Sequence, residues 1–200
     1  MPRITRRLAL AAPFALMRPI RAGAAGNIGT TRDMVGSGIL TRAGRQSPLR
    51  KGTGLDEGDL VTTGAKTLAH LVLMTETNIN MGPQSSILLD RYVADMGGTI
   101  TVGGALVFDR DDALGPLDLT VQTEFGQIGV RGTRFFLGPS KGVPAVFVSR
   151  GRVTVSNAGV TRTLRAGDGV DLAAGQPPSA VAQWKPPRIE AAFALVGLRP

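Results

Sequence analysis

Short runs of alternating apolar and polar residues, separated by glycine-rich turns, constrain the fold of this chain more than any other feature. The clearest example is the stretch Leu117–Leu137, whose first six residues, LDLTVQ, alternate strictly. A period of two places the apolar side chains on one face of a β-strand and the polar ones on the other. Further strand-like runs cover residues 127–130 and 135–137. We therefore predict strands on both sides of a tight turn at residues 131–133.

This turn supplies the candidate contact residues. Gly129 and Gly132 flank Arg131, and glycine at such positions indicates a positive φ angle or a close approach of another segment. An arginine held between glycines is either fixed in an internal ion pair or displayed to a partner. We therefore name Gly129, Arg131, Gly132 and Thr133 as residues of a partner contact or of a structural turn.

The composition agrees with an all-β fold of many short strands. The chain has 27 glycines in 200 residues, and its hydrophobic content of 42% is enough for one core although only 4% is aromatic. Alternating segments recur at intervals of roughly 8–12 residues, which is typical of a β-sandwich, a barrel or a β-solenoid. We predict either a β-solenoid-like or a sandwich body, with a short C-terminal helix.

A β-hairpin is predicted around the dipeptide Arg150-Gly151. The strands on its two sides are rich in valine, and a hairpin would place these side chains opposite each other as an apolar cross-strand patch. The valines are Val146, Val148, Val153 and Val155.

The first 26 residues have the features of an export signal. Arginines open the segment, residues 8–17 form an apolar run, and Ala22-Gly23-Ala24 is a small-residue cleavage site. The run is too short to cross a bilayer core of about 30 Å as a helix. Because residues 5–10, TRRLAL, resemble a twin-arginine signal, we expect export to the periplasm as a soluble protein.

The chain after the signal divides into three predicted parts. We expect a linker at residues 27–34, a β domain at residues 35–175 and a Pro-rich tail at residues 176–200. Apolar residues at helical spacing in the tail predict a short helix. This helix either covers one end of the β domain or docks on a partner, with Trp184 and Phe193 as its anchors.

The positive charge of the chain is concentrated in the leader. The formal charge of +8 includes five arginines and no acid from the first 26 residues, which leaves 18 basic and 15 acidic residues. This small excess does not require a nucleic-acid partner. The absence of cysteine excludes disulfides and thiolate metal sites, and one histidine, His70, makes a zinc site unfavourable. We predict no metal and no cofactor.

Signatures of the common enzyme classes are missing from the sequence. It has no G-x-S-x-G elbow, no phosphate loop, no H-E-x-x-H helix and no cysteine nucleophile. We therefore predict that the protein is not an enzyme. The remaining enzymatic alternative is a glycoside hydrolase that uses a pair of acids such as Glu76 and Asp90.

Three strings of this sequence resemble the FecR domain. They are QTEFGQIGVRGTRFFL, PLRKGTGLDEGDLVTTGAKTLAHLVL, and VFVSRGRVTVSN followed by LRAGDGV, and together they cover the range from Val35 to Leu172. Within the second string, residues 58–64, GDLVTTG, match a motif that opens a strand in this family. The resemblance implies a periplasmic sensor of bacterial iron-uptake signalling, which reads an outer-membrane receptor and passes its state to an anti-sigma segment.

Other parts that are usual in the FecR family have no counterpart in this sequence, namely an inner-membrane helix, a cytoplasmic helical domain and a C-terminal receptor-facing domain. We therefore expect a free-standing module that acts in envelope signalling through protein contacts. Its partner is an envelope protein or a polysaccharide. The alternative is a carbohydrate-binding or envelope-scaffold domain, in which Asn78, Asn80, Thr99 and Thr101 line a sugar groove.

Overall fold

The computed structural model describes residues 26–73, 76–93, 97–111, 113–114, 117–130 and 133–200. Within these residues the chain forms eighteen strands and one helix. The strands are β1 (Asn27–Val35), β2 (Gly38–Arg42), β3 (Arg45–Leu49), β4 (Gly54–Asp56), β5 (Leu60–Thr63), β6 (Leu68–Leu73), β7 (Thr77–Met81), β8 (Ser86–Val93), β9 (Gly97–Gly103), β10 (Leu106–Asp109), β11 (Asp118–Thr123), β12 (Gly126–Val130), β13 (Arg134–Ser140), β14 (Val143–Arg150), β15 (Arg152–Asn157), β16 (Val160–Arg165), β17 (Asp168–Asp171) and β18 (Ala182–Gln183), and the helix is α1 (Pro186–Ala194).

The strands form two nine-stranded sheets. Sheet A has the order β18-β17-β14-β13-β10-β7-β6-β1-β4, and sheet B has the order β16-β15-β12-β11-β9-β8-β5-β2-β3. Within the described residues every strand pair is antiparallel except β9 with β11, which is parallel. The strand order within each sheet nearly follows the order of the chain, so the N-terminal strands lie at one edge of both sheets and the C-terminal strands at the other.

The core lies between the two sheets. The alternation predicted from the sequence explains it, because every second residue of a strand points inward. In β6, for example, Ala69, Leu71 and Leu73 are buried while the residues between them are half-buried. The inward residues of both sheets form one continuous apolar cluster. Each fully buried leucine, isoleucine, valine or phenylalanine stabilises the fold by about 1.5–3 kcal/mol relative to the same side chain exposed to water.

The all-β prediction is therefore confirmed, and of its two alternatives the structure has the sandwich. The solenoid alternative is wrong. Successive coils of a β-solenoid stack in parallel, whereas here the pairing is almost wholly antiparallel and the chain passes repeatedly between two sheets. The sheets do not close into a barrel either, because each has two edge strands.

The segment predicted to be a linker, residues 27–34, is part of strand β1 instead. It pairs with β4 on one side and with β6 on the other, so its backbone groups are hydrogen-bonded within sheet A. Its small and polar residues suit this position: Thr31 is fully buried, and a Cβ at Gly29 would lie 2.8 Å from Leu73 Cδ2.

Two predicted turns connect the sheets rather than two strands of one sheet. Strand β12 belongs to sheet B and β13 to sheet A, and the chain crosses back between β14 and β15 at Gly151. The predicted hairpin around Arg150-Gly151 is therefore wrong. The valines of β14 and β15 lie on different sheets and belong to the same central cluster, so they contribute to the core between the sheets rather than to a cross-strand patch.

The predicted C-terminal helix is present as α1, which begins with two prolines at positions that tolerate the missing N–H groups. It packs against β13 on the outer face of sheet A. Its Phe193 belongs to a second apolar cluster together with Phe136 and Phe147. Among the described residues, no helix combines the length and the apolar character that crossing a membrane requires.

Candidate functional site

Of the four predicted contact residues the structure describes two, Gly129 and Thr133, and these two do not share a surface. Gly129 lies in β12 and faces outward from sheet B, where a Cβ would come within 2.6 Å of Thr154 Oγ1, so the close approach expected at this glycine exists. Thr133 is fully buried, and its carbonyl oxygen accepts the N–H of Arg110 at 3.1 Å. Arg131 and Gly132 lie outside the described residues.

A cluster of ionic groups lies beside this crossing in sheet A. Arg134 and Arg150 are directly opposite each other on β13 and β14, and Asp109 contacts both. Asp109 Oδ2 is 3.3 Å from Arg134 Nε, and Asp109 Oδ1 accepts a hydrogen bond from Arg150 Nη2 at 3.0 Å. Arg150 also donates to the carbonyl oxygen of Arg110 at 2.7 Å. One carboxylate thus balances two guanidinium groups that would otherwise repel.

The second ionic cluster explains the GDLVTTG motif. Asp59 is fully buried, accepts hydrogen bonds from Arg42 Nε at 2.8 Å and Nη2 at 2.6 Å, and accepts the N–H of Asp56 at 2.8 Å. Hydrogen bonding to Asp59 is the largest cause of the raised pKa of Arg42; burial opposes it, and the charges of Asp59 and Asp56 add to it. The motif therefore holds β2, β4 and the start of β5 together and is structural.

The tail residues named as anchors are engaged within the chain. Trp184 stacks on Phe147 at 5.0 Å between ring centroids, and the Arg188 guanidinium lies 3.8 Å above the Trp184 ring. Arg188 also forms an ion pair with Asp171. Phe193 is fully buried and Trp184 is 7% exposed. These two rings fix the tail on sheet A and offer little surface to a partner.

The outer face of sheet B is a nine-stranded surface, and we call it the open face. Its outward residues carry mostly hydroxyl and amide groups, with the half-buried leucines Leu60 and Leu88 among them. Its central row crosses all nine strands as Gln46, Thr41, Leu60, Leu88, Thr101, Gln122, Gln127, Ser156 and Thr161. A second row consists of Thr99, Thr120, Gly129, Thr154 and Thr163.

Sequence reasoning named three residues of the open face, Gly129 for a partner contact and Thr99 and Thr101 for a sugar groove, and missed the face itself. The signal was present in the outward positions of β9, β11, β12, β15 and β16, which repeat threonine, glutamine and serine. Recognising it as one surface requires the register between strands, which a sequence does not provide.

The residues predicted to line a sugar groove are divided between the two outer faces. Asn78 and Asn80 point outward from sheet A, whereas Thr99 and Thr101 point outward from sheet B. They do not form one groove, although the two threonines belong to the open face. The side chain of Asn78 already forms a hydrogen bond within the chain, since its Oδ1 lies 2.9 Å from Nε2 of His70.

The acids considered for glycoside hydrolysis are also apart. Glu76 precedes β7 in sheet A, whereas Asp90 lies on β8 in sheet B and accepts a hydrogen bond from Thr101 at 2.7 Å. In the described part of the chain, no group of three or more potential metal ligands lies together.

Comparison with known proteins finds a family that matches part of the sequence. The sequence profile of the family described as FecR protein matches residues 59–154, from the buried Asp59 to Thr154 on the open face. No curated protein matches the chain.

Two crystal structures of a candidate anti-sigma factor from Parabacteroides distasonis share the fold at 15% sequence identity, with TM-scores of 0.56 and 0.55. The match covers 69% of this chain and 65% and 64% of those chains. The FecR resemblance of the sequence is thus confirmed for residues 59–154, which match the FecR domain family.

Proposed function

We propose that this protein is a non-enzymatic sensing and binding module of the FecR type, which acts through protein contacts in envelope signalling. The observation that carries the proposal is the open face, a nine-stranded surface that no described element of the chain covers. The match of residues 59–154 to the FecR family supports the signalling role. The shared fold of a candidate anti-sigma factor agrees with it.

The chemistry of the open face suits contact with another protein. Leu60 and Leu88 lie opposite each other near its middle, and Ile39 on the same face is 42% exposed. Threonine and glutamine surround these apolar groups. An apolar centre within a polar rim is the usual arrangement of a protein interface.

The carboxylates that form ion pairs with arginine support a role without catalysis. Asp59 and Asp109 are bound to arginines that hold strands together, and Asp171 is bound to Arg188 of the tail. These carboxylates serve the fold rather than a cleft open to substrate.

The proposed function includes the export signal predicted at residues 1–26, of which residues 1–25 lie outside the described residues. We propose that it directs the protein to the periplasm and is removed there. The remaining chain consists of the β domain, now extended at its start by β1, and the tail at residues 176–200. A small net charge after removal of the leader supports partners other than nucleic acid.

Site-specific photo-crosslinking tests the contact mode. A photoreactive residue at Gln122, in the centre of the open face, should capture one protein from envelope extracts of the native organism. Gln176 is the matched control, because it is an exposed glutamine away from the open face. Equal capture at both positions, or capture of no protein at Gln122, would contradict the proposal.

A second candidate is a carbohydrate-binding or envelope-scaffold domain. The row of outward threonines that includes Thr99 and Thr120 favours it, because regularly spaced hydroxyl groups match those of a polysaccharide. Saturable binding of the purified protein on a glycan array, lost when Thr120 is replaced by Val, would support this candidate over the first.

A further inference from the structure

Three pairs of arginines lie directly opposite each other on neighbouring strands of the described chain. Like charges in this position repel and destabilise the strand pair. The pairs are Arg42 with Arg45, Arg134 with Arg150, and Arg152 with Arg165.

The chain supplies carboxylates to two of these pairs. Asp59 and Asp56 bind Arg42 at 2.6 Å and 2.8 Å, which compensates the first pair. In the second pair Asp109 contacts both arginines. The fold therefore has a consistent solution to opposed arginines, which is an aspartate within ion-pair distance.

Among the described residues, the third pair has no such aspartate. Arg152 and Arg165 are both exposed, both point outward from sheet B at one corner of the open face, and form no ion pair with a described residue. Asp168 is close to Arg165 in sequence, but its two carboxylate oxygens accept the backbone N–H of Arg165 at 2.8 Å and the side-chain amide of Gln183 at 2.6 Å. Asp118, the outward acid on β11, is two strands from Arg152, or about 10 Å at the usual strand spacing.

The surroundings of the third pair add hydrogen-bond donors and space. The next outward pair on the same two strands is Thr154 with Thr163. A surface cleft of about 490 Å³ is lined by Gly151, Arg152, Arg165 and Ala166. Two guanidinium groups beside two hydroxyl groups match a carboxylate, which accepts paired hydrogen bonds from arginine.

We infer that Arg152 and Arg165 form a binding site for carboxylate groups, and that an acidic segment of the protein partner supplies the counter-charge that the described residues do not. An acidic segment is complementary in charge to this pair, which has no carboxylate partner in the described part of the chain, unlike the other two pairs. The identification of the ligand as a protein segment rests on the proposed function. The anion site itself rests on the geometry of the pair.

A hexaglutamate peptide carrying a fluorescent label is the probe. Fluorescence anisotropy should show binding to the full chain that weakens as salt is added, because the contact is ionic and exposed. Arg152→Gln and Arg165→Gln should each weaken binding about tenfold or more, the effect of losing a hydrogen bond to a charged group. Arg45→Gln is the matched control: it removes an exposed arginine from the opposite edge strand and should leave binding unchanged.

Thermal unfolding gives a second measurement. Because the two arginines repel each other without a ligand, Arg165→Gln should keep or raise the melting temperature of the free protein. A lowered melting temperature would mean that the pair stabilises the fold, and the inference would fail. It would also fail if the peptide bound all four proteins equally or none of them, or if inorganic phosphate bound the pair while the peptide did not.

The two proposals fail in different ways. If the peptide depends on the arginine pair but Gln122 captures a glycan, the anion site stands and the proposed protein contact does not. If Gln122 captures a protein whose binding is unchanged in Arg165→Gln, the protein contact stands and the acidic segment is wrong.

Discussion

Replacing Asp59 by asparagine tests whether an aspartate that compensates opposed arginines controls the stability of the sandwich. The side chain of Asp59 is fully buried and accepts three hydrogen bonds, two from Arg42 and one from the backbone of Asp56. Asparagine has nearly the same shape but no charge, and its amide group can only donate. The remaining oxygen, in the place of Oδ2, can still accept the two bonds that Oδ2 accepted, but without the charge, and Arg42 Nε then faces the amide donor instead of an acceptor.

The magnitude follows from these contacts. A hydrogen bond to a charged group contributes about 1.5–3 kcal/mol, and the substitution weakens two. The Arg42 side chain is 45% exposed and keeps Asp56 as a partner at 2.8 Å, so water and the second carboxylate recover part of the loss. We expect a net loss of about 2–3 kcal/mol in the free energy of unfolding. For a chain of this size the melting temperature should fall by roughly 4–12 °C.

Urea unfolding followed by tryptophan fluorescence measures this loss directly. Trp184, the one tryptophan of the chain, is 7% exposed and becomes solvated on unfolding. Glu57→Gln is the matched control, because it removes the same charge from an exposed neighbour and should change stability by less than about 0.5 kcal/mol. A double-mutant cycle with Arg42→Gln should give a coupling energy of about 1–3 kcal/mol. A stability of Asp59→Asn within about 0.5 kcal/mol of wild type would refute the reasoning.

Three further predictions use the same unfolding assay. Phe193→Ala should lower the free energy of unfolding by about 3–5 kcal/mol and shift the tryptophan emission to longer wavelength, because the Phe193 ring is fully buried. Leu195→Ala is the control and should change stability little, because Leu195 is 40% exposed. Equal effects of the two substitutions would argue against the packing of the tail. Gly126→Ala should destabilise the protein more than Gly142→Ala. Both glycines have a positive φ, at which alanine costs about 1–2 kcal/mol of stability, but a Cβ at residue 126 would also collide with a backbone oxygen, whereas residue 142 faces open space. The reverse order would be inconsistent with the strand pairing. Because the pKa of Arg42 is raised, the stability that its ion pair with Asp59 contributes is complete below the ordinary pKa of arginine and is lost only above it. The difference in free energy of unfolding between wild type and Asp59→Asn should therefore be the same at neutral pH and at about pH 10. A difference that disappears at high pH would contradict the ion pair.

The secondary structure of the strands was predictable because burial on one face imposes a period of two on the sequence. Strand β6 shows this directly: its sequence LAHLVL alternates in burial along its whole length. The helix α1 was predictable for a similar reason, since Ile189, Ala192, Phe193 and Val196 recur at helical spacing and pack on one side.

Strand β1 was missed because its inward face is not apolar throughout. Gly29 lies close to Leu73, and Thr31 is buried although it is polar, so the alternation that marks other strands is hidden. The segment is specified by its pairing with β4 and β6, which are distant in sequence. Non-local pairing of this kind leaves no local pattern from which it can be predicted.

The sequence also could not distinguish a hairpin from a connection that crosses between the two sheets. The two connections have the same length and the same glycine signal, and both bring apolar faces together. In a hairpin the faces lie side by side on one sheet, whereas in this sandwich they lie opposite each other. Only the register of strands such as β10 with β13 and β12 with β15 distinguishes the two arrangements.

The crossing at Gly151 shows why this distinction matters for function. Arg150 and Arg152 are two residues apart, and the sequence gives no reason to assign them different roles. Gly151, with a φ of 81°, changes the sheet between them. Arg150 ends β14 in sheet A, where Asp109 compensates it, and Arg152 begins β15 on the open face, where Arg165 lies opposite on β16. A site for an acidic partner at this corner thus follows from the crossing, because a hairpin at Gly151 would have kept both arginines on one sheet.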